Sequence, residues 1–465
     1  MGSEMCIRDR GYVAFSDTLS PVIQFQEDQL STGVKGSAFK NGIPKSKWRL
    51  ISMPAELDDY SVATIFGDEL NGKPSERKWR IMDLSGQGWS DVSSLEIGVG
   101  YWFYQQVKKD VRISTGSGRT LDFSGTVIEL KSGWNTIGSP YPFPVDIERD
   151  PNFVYGPISY GIGGYEGWTD DETQLKPWAG YGIYNRTNFT QTVTIKPIQT
   201  AGQLAREKEN SDEGWKMRLI ASGATYADPG NMIGRVKGAQ EELDKFDNPE
   251  PPTMPEYVSI TMVRPDWREK GFTNLFTSDM RSLEQRDGIW NVELRVKGEK
   301  GPITLSYDLE GNFPIEDEMV MLDMSTREQY NLLDEEIIEI TEYSEDFPYR
   351  FKIFAGSPEF VASAMADALS LLPDEFTLRQ NYPNPFNPST TIEFTLPQPT
   401  EISLVIYNLM GQEVRTLKRG MTDTGHHSIL WHGKDNRGQL VSSGVYLVRF
   451  YSPTFTASHK MVLMK

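Results

Sequence analysis

Two stretches, 86 residues apart, share one pattern. Trp48-Arg-Leu-Ile51-Ser-Met-Pro54 and Trp134-Asn-Thr-Ile137-Gly-Ser-Pro140 both read W-x-x-I-x-x-P. A second pair follows in the same order: Gly100-Tyr-Trp-Phe-Tyr104 and Gly180-Tyr-Gly-Ile-Tyr184 read G-Y-x-[FI]-Y. Each copy also carries a further Trp between these anchors, Trp89 and Trp168, in what reads as a polar loop. Several matches in register mark a tandem duplication, and a duplicated unit restricts the fold more than any composition does.

The repeated unit reads as β. WRLISM, YWFYQQV, VRIS, TVIEL, YGIYN and TVTIKP are short, rich in β-branched and aromatic residues, and bounded by Gly, Pro, Asn or Asp. A period of 3.6 is hard to find over any long window. The Pro after each W-x-x-I strand would end it, because Pro cannot donate to a ladder. The expected class is therefore all-β: tandem β-modules or sandwiches, then an immunoglobulin-like sandwich at the C-terminus.

The organisation follows from these patterns. Residues 1–33 are set aside as an artefactual start (MGSEMCIRDR) and the remnant of an upstream region; this part shows no secretory leader, so a preceding segment is expected. Residues 34–124 and 125–200 are the two modules. Residues 201–214 read as a charged linker. Residues 215–357 alternate with period two, as in WKMRLIASG and WNVELRVKG, and are expected to form a β-sandwich. Residues 358–375 read as a connector in which AMADALSLL forms a short helix stopped by Pro373. Residues 376–465 form the last domain.

Much chemistry is excluded. The single cysteine is Cys6, and the four histidines are His426, His427, His432 and His459. Residues 11–425 therefore hold no Ser-His-Asp triad, no Cys-His pair and no His/Cys zinc site. No phosphate-cradling glycine loop is present. The histidines read as solvated β-surface residues. Acids remain, and Glu166 with Asp170 or Asp171 is the nearest approach to a glycosidase-like pair, but a solvated loop is the expected reading. Two acidic stretches, Asp228-Pro-Gly-Asn231 and the one carrying Asp244, Asp247, Asn248 and Glu250, have the oxygens calcium wants. They lack EF-hand spacing, and turns are the simpler account, so no cofactor is expected, with calcium the weak alternative.

The net charge is −18, yet residues 376–465 carry nine Lys and Arg against five Asp and Glu. An acidic body argues against a nucleic-acid partner. No apolar run of about 18 residues is present, so no transmembrane helix is expected. The repeated aromatics read as core. Tyr165 and Trp168, in the Gly-rich stretch GIGGYEGWTDDE, are the two that would suit a glycan platform.

The last 90 residues resemble the C-terminal sorting domain of the type IX secretion system of Bacteroidetes. FTLRQNYPNPFNPSTTIEFTLP (376–397) matches the opening, through Asn381, Pro383, Asn384, Pro385, Phe386, Asn387 and Pro388. ISLVIYNLMGQEVRTL (402–417) matches the central hairpin with Gly411 at its turn. A third stretch matches through Trp431, Gly433, Asp435, Gly438, Gly444, Val445 and Tyr446, and the closing KMVLMK begins with Lys460 and ends with Lys465. His432 stands where Asp is common in the family. The Pro- and Asn-rich opening reads as a stiff spacer between cargo and address label. A related domain of flagellar hook-capping proteins shares parts of the pattern.

The resemblance implies export through the periplasm to the outside or the outer cell surface. The partners it implies are the type IX machinery at the outer membrane and surface lipopolysaccharide or polysaccharide. The expected function is thus a secreted or surface protein with non-catalytic β-modules for spacing or binding. The alternative is the accessory portion of a secreted peptidase or glycosidase with carbohydrate-binding repeats.

Overall fold

The computed structural model describes residues 24–25, 30–32, 37–70, 74, 78–85, 88–115, 118–121, 125–161, 166–171, 174–197, 213–269, 273–334 and 337–464. The chain is all-β, as the sequence predicts, with an immunoglobulin-like domain at its C-terminal end.

The duplication is visible as repeated topology. In the first module four strands lie in the order Arg49–Ser52, Gly100–Gln105, Trp79–Ser85, Gly88–Asp91. In the second they lie as Gly133–Gly138, Gly180–Asn185, Val154–Tyr160, Trp168–Asp171. In each copy the W-x-x-I strand pairs with the G-Y-x-[FI]-Y strand: Ile51 opposes Tyr101, and Ile137 opposes Tyr181. Side-chain chemistry repeats as well. The Tyr101 hydroxyl accepts from the Glu96 amide at 2.8 Å, and the Tyr181 hydroxyl from the Lys176 amide at 2.7 Å.

The two modules meet through exchanged contacts that are related in pairs. Ile51 bridges to Ala179, and its counterpart Ile137 bridges to Val99, the counterpart of Ala179. The Ser52 amide donates to the Trp178 carbonyl at 2.9 Å, and the Gly138 amide to the Gly98 carbonyl at 3.0 Å. Gly180 sits where this approach is closest. A Cβ there would lie 2.9 Å from the Ile51 carbonyl oxygen, so the motif glycine is needed for the modules to touch.

Three readings are corrected here. Trp89 and Trp168 lie on strands, Gly88–Asp91 and Trp168–Asp171, not in loops. A helix, Val62–Leu70, stands where only β-structure was expected. Its buried Val62, Ile65, Phe66 and Leu70 keep helical spacing, and the Ser61 hydroxyl accepts from the Thr64 amide at 3.2 Å as an N-cap. Nine residues are too few for the periodicity to stand out. Third, the helix expected over AMADALSLL runs from Pro358 to Ser370. The Ser357 side chain caps it and Pro358 opens it, so it starts a turn and a half earlier than the apolar pattern suggested. Val361 and Ala368 bury against Leu322 and Phe354 of the preceding sandwich.

That sandwich has two sheets. One orders Ser278–Ser282, Ala227–Val236, Gly214–Ser222, Ile303–Gly311 and Ile338–Ile340; the other centres on Tyr257–Val263, Gly288–Lys297 and Tyr349–Gly356. Alternating side chains such as Met217, Leu219, Trp290 and Val292 fill the space between, and Trp215 meets Trp290 edge-on at 5.7 Å. Asp228 and Asn231, read as a loop, lie within the strand Ala227–Val236.

The C-terminal domain packs a three-strand sheet (Thr377–Leu378, Thr390–Leu396, Gly425–Trp431) on a four-strand sheet (Glu413–Thr422, Thr400–Asn408, Gly444–Tyr451, Thr456–Leu463). Ile392, Phe394 and Leu396 face inward, as their alternation predicts.

Candidate functional site

Two regions bring the predicted residues together. The first is the C-terminal domain. Its Pro- and Asn-rich opening is not a spacer but a strap built into the fold. Phe386 is 1% exposed, 5.4 Å from the ring of Trp431, which in turn meets Tyr446 at 5.4 Å. The Phe386 amide donates to the Val462 carbonyl at 2.9 Å, and the Met464 amide to the Phe386 carbonyl at 3.0 Å. Asn384 completes the seam: its Oδ1 accepts from the Val462 amide at 2.9 Å and its Nδ2 donates to the Lys460 carbonyl at 3.0 Å. The prolines cannot donate to a ladder, so asparagine amides supply the bonds that cover the edge of the last strand. The buried Asn381 donates to the Thr390 hydroxyl at 2.8 Å and ties the strap to the opposite sheet.

The other matching residues surround this seam. Gly433 has φ +64°, and a Cβ there would lie 2.8 Å from the Pro388 carbonyl oxygen. Asp435 turns its loop by accepting from the amides of Arg437 (2.9 Å) and Gln439 (2.8 Å). The Trp431 indole donates to the Lys434 carbonyl at 2.9 Å, and the Tyr446 hydroxyl to the Ser442 carbonyl at 2.7 Å. Gly411 and Gly438 hold positive-φ turns with open space around them. Val445 is half-buried and Gly444 opens the strand that holds both; Lys460 is exposed. Asn387 lies within the strap beside Pro388, and Pro383 and Pro385 flank Asn384. Lys465 lies outside the described residues.

The histidines depart from the solvated reading in two of four cases. His427 stacks on Phe394 at 5.0 Å and bonds the Asp423 carbonyl, and His459 bonds the Leu378 carbonyl, both at 2.8 Å. Burial, with Lys418 and His426 adding to it, holds the His427 pKa below the usual range.

The second region is the junction between the second module and the middle sandwich. Tyr165 lies outside the described residues. Trp168 is half-buried in an aromatic cluster, edge-on to Trp102 at 5.6 Å and to Tyr160 at 5.5 Å, and stacked with Trp134 at 6.3 Å. Its indole donates to the Pro252 carbonyl at 3.3 Å, and that of Trp134 to the Glu250 carbonyl at 3.0 Å. Both tryptophans thus point their one donor into the neighbouring domain, which is the core use of Trp rather than an open stacking face.

Glu166, the acid weighed as half of a catalytic pair, is 8% exposed and spoken for. Arg49 of the first module grips it with two bonds, 2.7 and 3.0 Å, and Lys47 adds a third contact at 2.8 Å. Burial works to raise its pKa, but the bonds and charges of Arg49 and Lys47 win and hold it below the usual carboxylate range. A general acid needs the reverse.

The acidic loop at 244–248 already binds a cation, an arginine. The Arg186 guanidinium donates to the carbonyls of Asp244 (3.3 Å), Lys245 (3.2 Å) and Asp247 (2.6 Å) and to Asn248 Oδ1 (2.7 Å). Asp247, 1% exposed, accepts from the amides of Asp244 and Met280. Burial first, then the carboxylates of Asp279 and Asp244, push it up to about 8 despite those amide bonds. Among the described residues no group of three His, Cys, Asp or Glu is placed to hold a metal.

Two hollows open at this junction. One of about 50 Å³ lies between Trp168, Tyr160, Asp228 and Glu250, room for a few waters. The other, of about 390 Å³, lies beside the Arg186 clamp. Sequence reasoning missed Arg49, Tyr184 and Arg186. A signal existed for the last. In the repeat register Arg186 stands where the first module has Gln106, and a charge gained in only one copy marks a contact that only that copy makes.

Comparison with known proteins adds the following. A family model described as the FlgD Ig-like domain matches residues 386–454. No curated protein is significantly similar to the chain. Among solved structures, PorZ of Porphyromonas gingivalis, described as an essential bacterial surface component of the type-IX secretion system, is similar at 14% identity and a TM-score of 0.15, over 38% of this chain and 29% of PorZ. Dimeric latent PorU of the same organism is similar at 10% identity and a TM-score of 0.17, over 90% of this chain and 29% of PorU. The chain spans less than a third of either protein. Scores this low carry nothing about function.

Proposed function

We propose that the chain is a non-catalytic β-module protein exported by a type IX secretion system, with residues 376–465 as the address. One observation carries this reading. The stretches that resemble the sorting family, 381–388, 431–438 and 444–446, converge with the last strand on a single seam around Phe386 and Trp431. A tag recognised as a folded object needs such a unit, independent of its cargo. The partner would be the secretion machinery at the outer membrane, and the destination the medium or the cell surface, with lipopolysaccharide as a candidate anchor. No helix among the described residues is long and apolar enough to cross a membrane.

A second reading rests on the family match at 386–454: an immunoglobulin-like domain with a purely structural role, as in hook-capping proteins. Fusing residues 376–465 to a periplasmic reporter separates the two. In a host with a type IX system the fusion should reach the medium or surface, and in an isogenic strain lacking the machinery it should stay in the periplasm. Retention in both strains would sink the export reading and favour the structural one.

A further inference from the structure

The hollow beside Arg186 has the size of a ligand site, and its walls have a consistent chemistry. Its volume of about 390 Å³ falls in the range that small-molecule sites occupy. It is formed by two domains. The second module supplies Asn152, Tyr184 and Arg186, and the sandwich supplies Gln240, Leu243, Pro249, Thr273 and Phe276. The clamp of Arg186 on the 244–248 loop fixes the two walls against each other, so the hollow is shaped before anything enters it.

The charges around it are already used. The two terminal nitrogens of Arg186 are held by oxygens of the 244–248 loop, and its Nε, which has no partner among the described residues, is buried away from the hollow's open space. The Asp244 carboxylate accepts from the amides of Gln240 (2.8 Å) and Phe246 (2.7 Å). The Lys245 ammonium lies over the Phe246 ring, 5.1 Å from its centroid. What remains is uncharged. Leu243, Pro249 and Phe276 give an apolar floor, and Tyr184 gives an aromatic wall held edge-on by Trp134 at 5.3 Å. The Tyr184 hydroxyl and the Gln240 side-chain amide make no hydrogen bond to any described residue, and the exposed Asn152 stands at the rim, its Nδ2 also donating to Asp150 Oδ1 at 2.9 Å. An apolar face beside an aromatic ring, ringed by neutral donors and acceptors, fits a pyranose. Its C–H face is apolar and its edge is a belt of hydroxyls.

We propose that this interdomain hollow binds one residue of a neutral glycan, with Tyr184 as the stacking wall and Asn152 and Gln240 as the rim contacts. The site is separate from the half-buried Trp168: Trp134 stands between them, stacked with Trp168 at 6.3 Å and edge-on to Tyr184 at 5.3 Å. It does not depend on the export reading, because binding is measured on the purified chain and export in cells.

The test is titration calorimetry of the full chain with hexasaccharides of β-1,4-glucose, β-1,4-mannose, β-1,4-xylose and β-1,4-N-acetylglucosamine, and with hexagalacturonate as the anionic probe. At least one neutral hexasaccharide should bind in the millimolar range or tighter. Asn152→Ala and Gln240→Ala should each weaken it about fivefold, the worth of one neutral hydrogen bond. Tyr184→Ala should weaken it more than either. The rim variants, on exposed residues, should leave the melting temperature unchanged, which separates lost binding from lost folding. No binding by any neutral probe overturns the proposal. So does binding that all three variants retain, or binding confined to hexagalacturonate.

Discussion

At the scale of single residues, the sequence motifs of the C-terminal domain resolve into backbone requirements. Gly433 and Gly411 both have positive φ, +64° and +77°, but their surroundings differ. A Cβ at 433 would meet the Pro388 carbonyl oxygen at 2.8 Å, while one at 411 meets nothing within 4 Å. Gly411→Ala should therefore cost only the left-handed penalty of about 1–2 kcal/mol. Gly433→Ala should cost more, because the strap must move as well. Urea unfolding of the two variants decides this, and equal losses would mean that the Pro388 contact is not tight. The motif W-x-G-x-D was legible from the residues; the reason for its glycine was not, because the partner atom lies 45 positions earlier in the chain.

At the scale of elements, local pattern and tertiary role diverged in the strap. NYPNPFNP has the composition of a linker, and every local rule argues for a segment that joins no sheet. One apolar residue inside it reverses the outcome. Phe386 is buried beside Trp431 and Tyr446, and burying such a ring is worth about 3–5 kcal/mol on truncation. Phe386→Ala should destabilise the domain by about that amount, and the amides of Phe386 and Met464, which are donors across the seam, should lose protection in hydrogen exchange before those of the central strands Thr400–Asn408 and Gly444–Tyr451. Loss of protection spread evenly over the sandwich would show that the strap is not a separate element. The repeat was legible at this scale because its anchors fall on paired strands, Ile51 opposite Tyr101 and Ile137 opposite Tyr181, so the same residue types recur in both copies. The helix Val62–Leu70 was not, because two turns give too few apolar positions to reveal a period.

At the scale of the whole molecule, the domains are joined by buried polar contacts that no single strand pattern encodes. Arg49 reaches Glu166 across 117 positions, and Arg186 reaches Asn248 across 62. Such joints respond to pH. Asp247 sits in the Arg186-clamped loop, with Asp244 and Asp279 near it and Arg264 and Arg281 paired to Asp279. Its pKa rises from 3.8 in the free side chain to about 8 in the fold. The folded state therefore holds a proton that the unfolded chain has released, so stability falls as pH rises. The contribution is complete below about 3.8 and is lost as pH climbs through about 8. Between pH 5 and 9 the melting temperature should fall, by an amount on the order of a few kcal/mol in free energy. Self-repulsion of a chain with a net charge of −18 acts in the same direction, so wild-type melting alone does not isolate Asp247. Asp247→Asn does. The amide has no proton to lose in this range, so whatever the variant costs outright, its melting temperature should fall less steeply with pH than that of the wild type. Parallel slopes would mean that Asp247 is ionised throughout, with the Arg186 guanidinium on its carbonyl strong enough to outweigh burial.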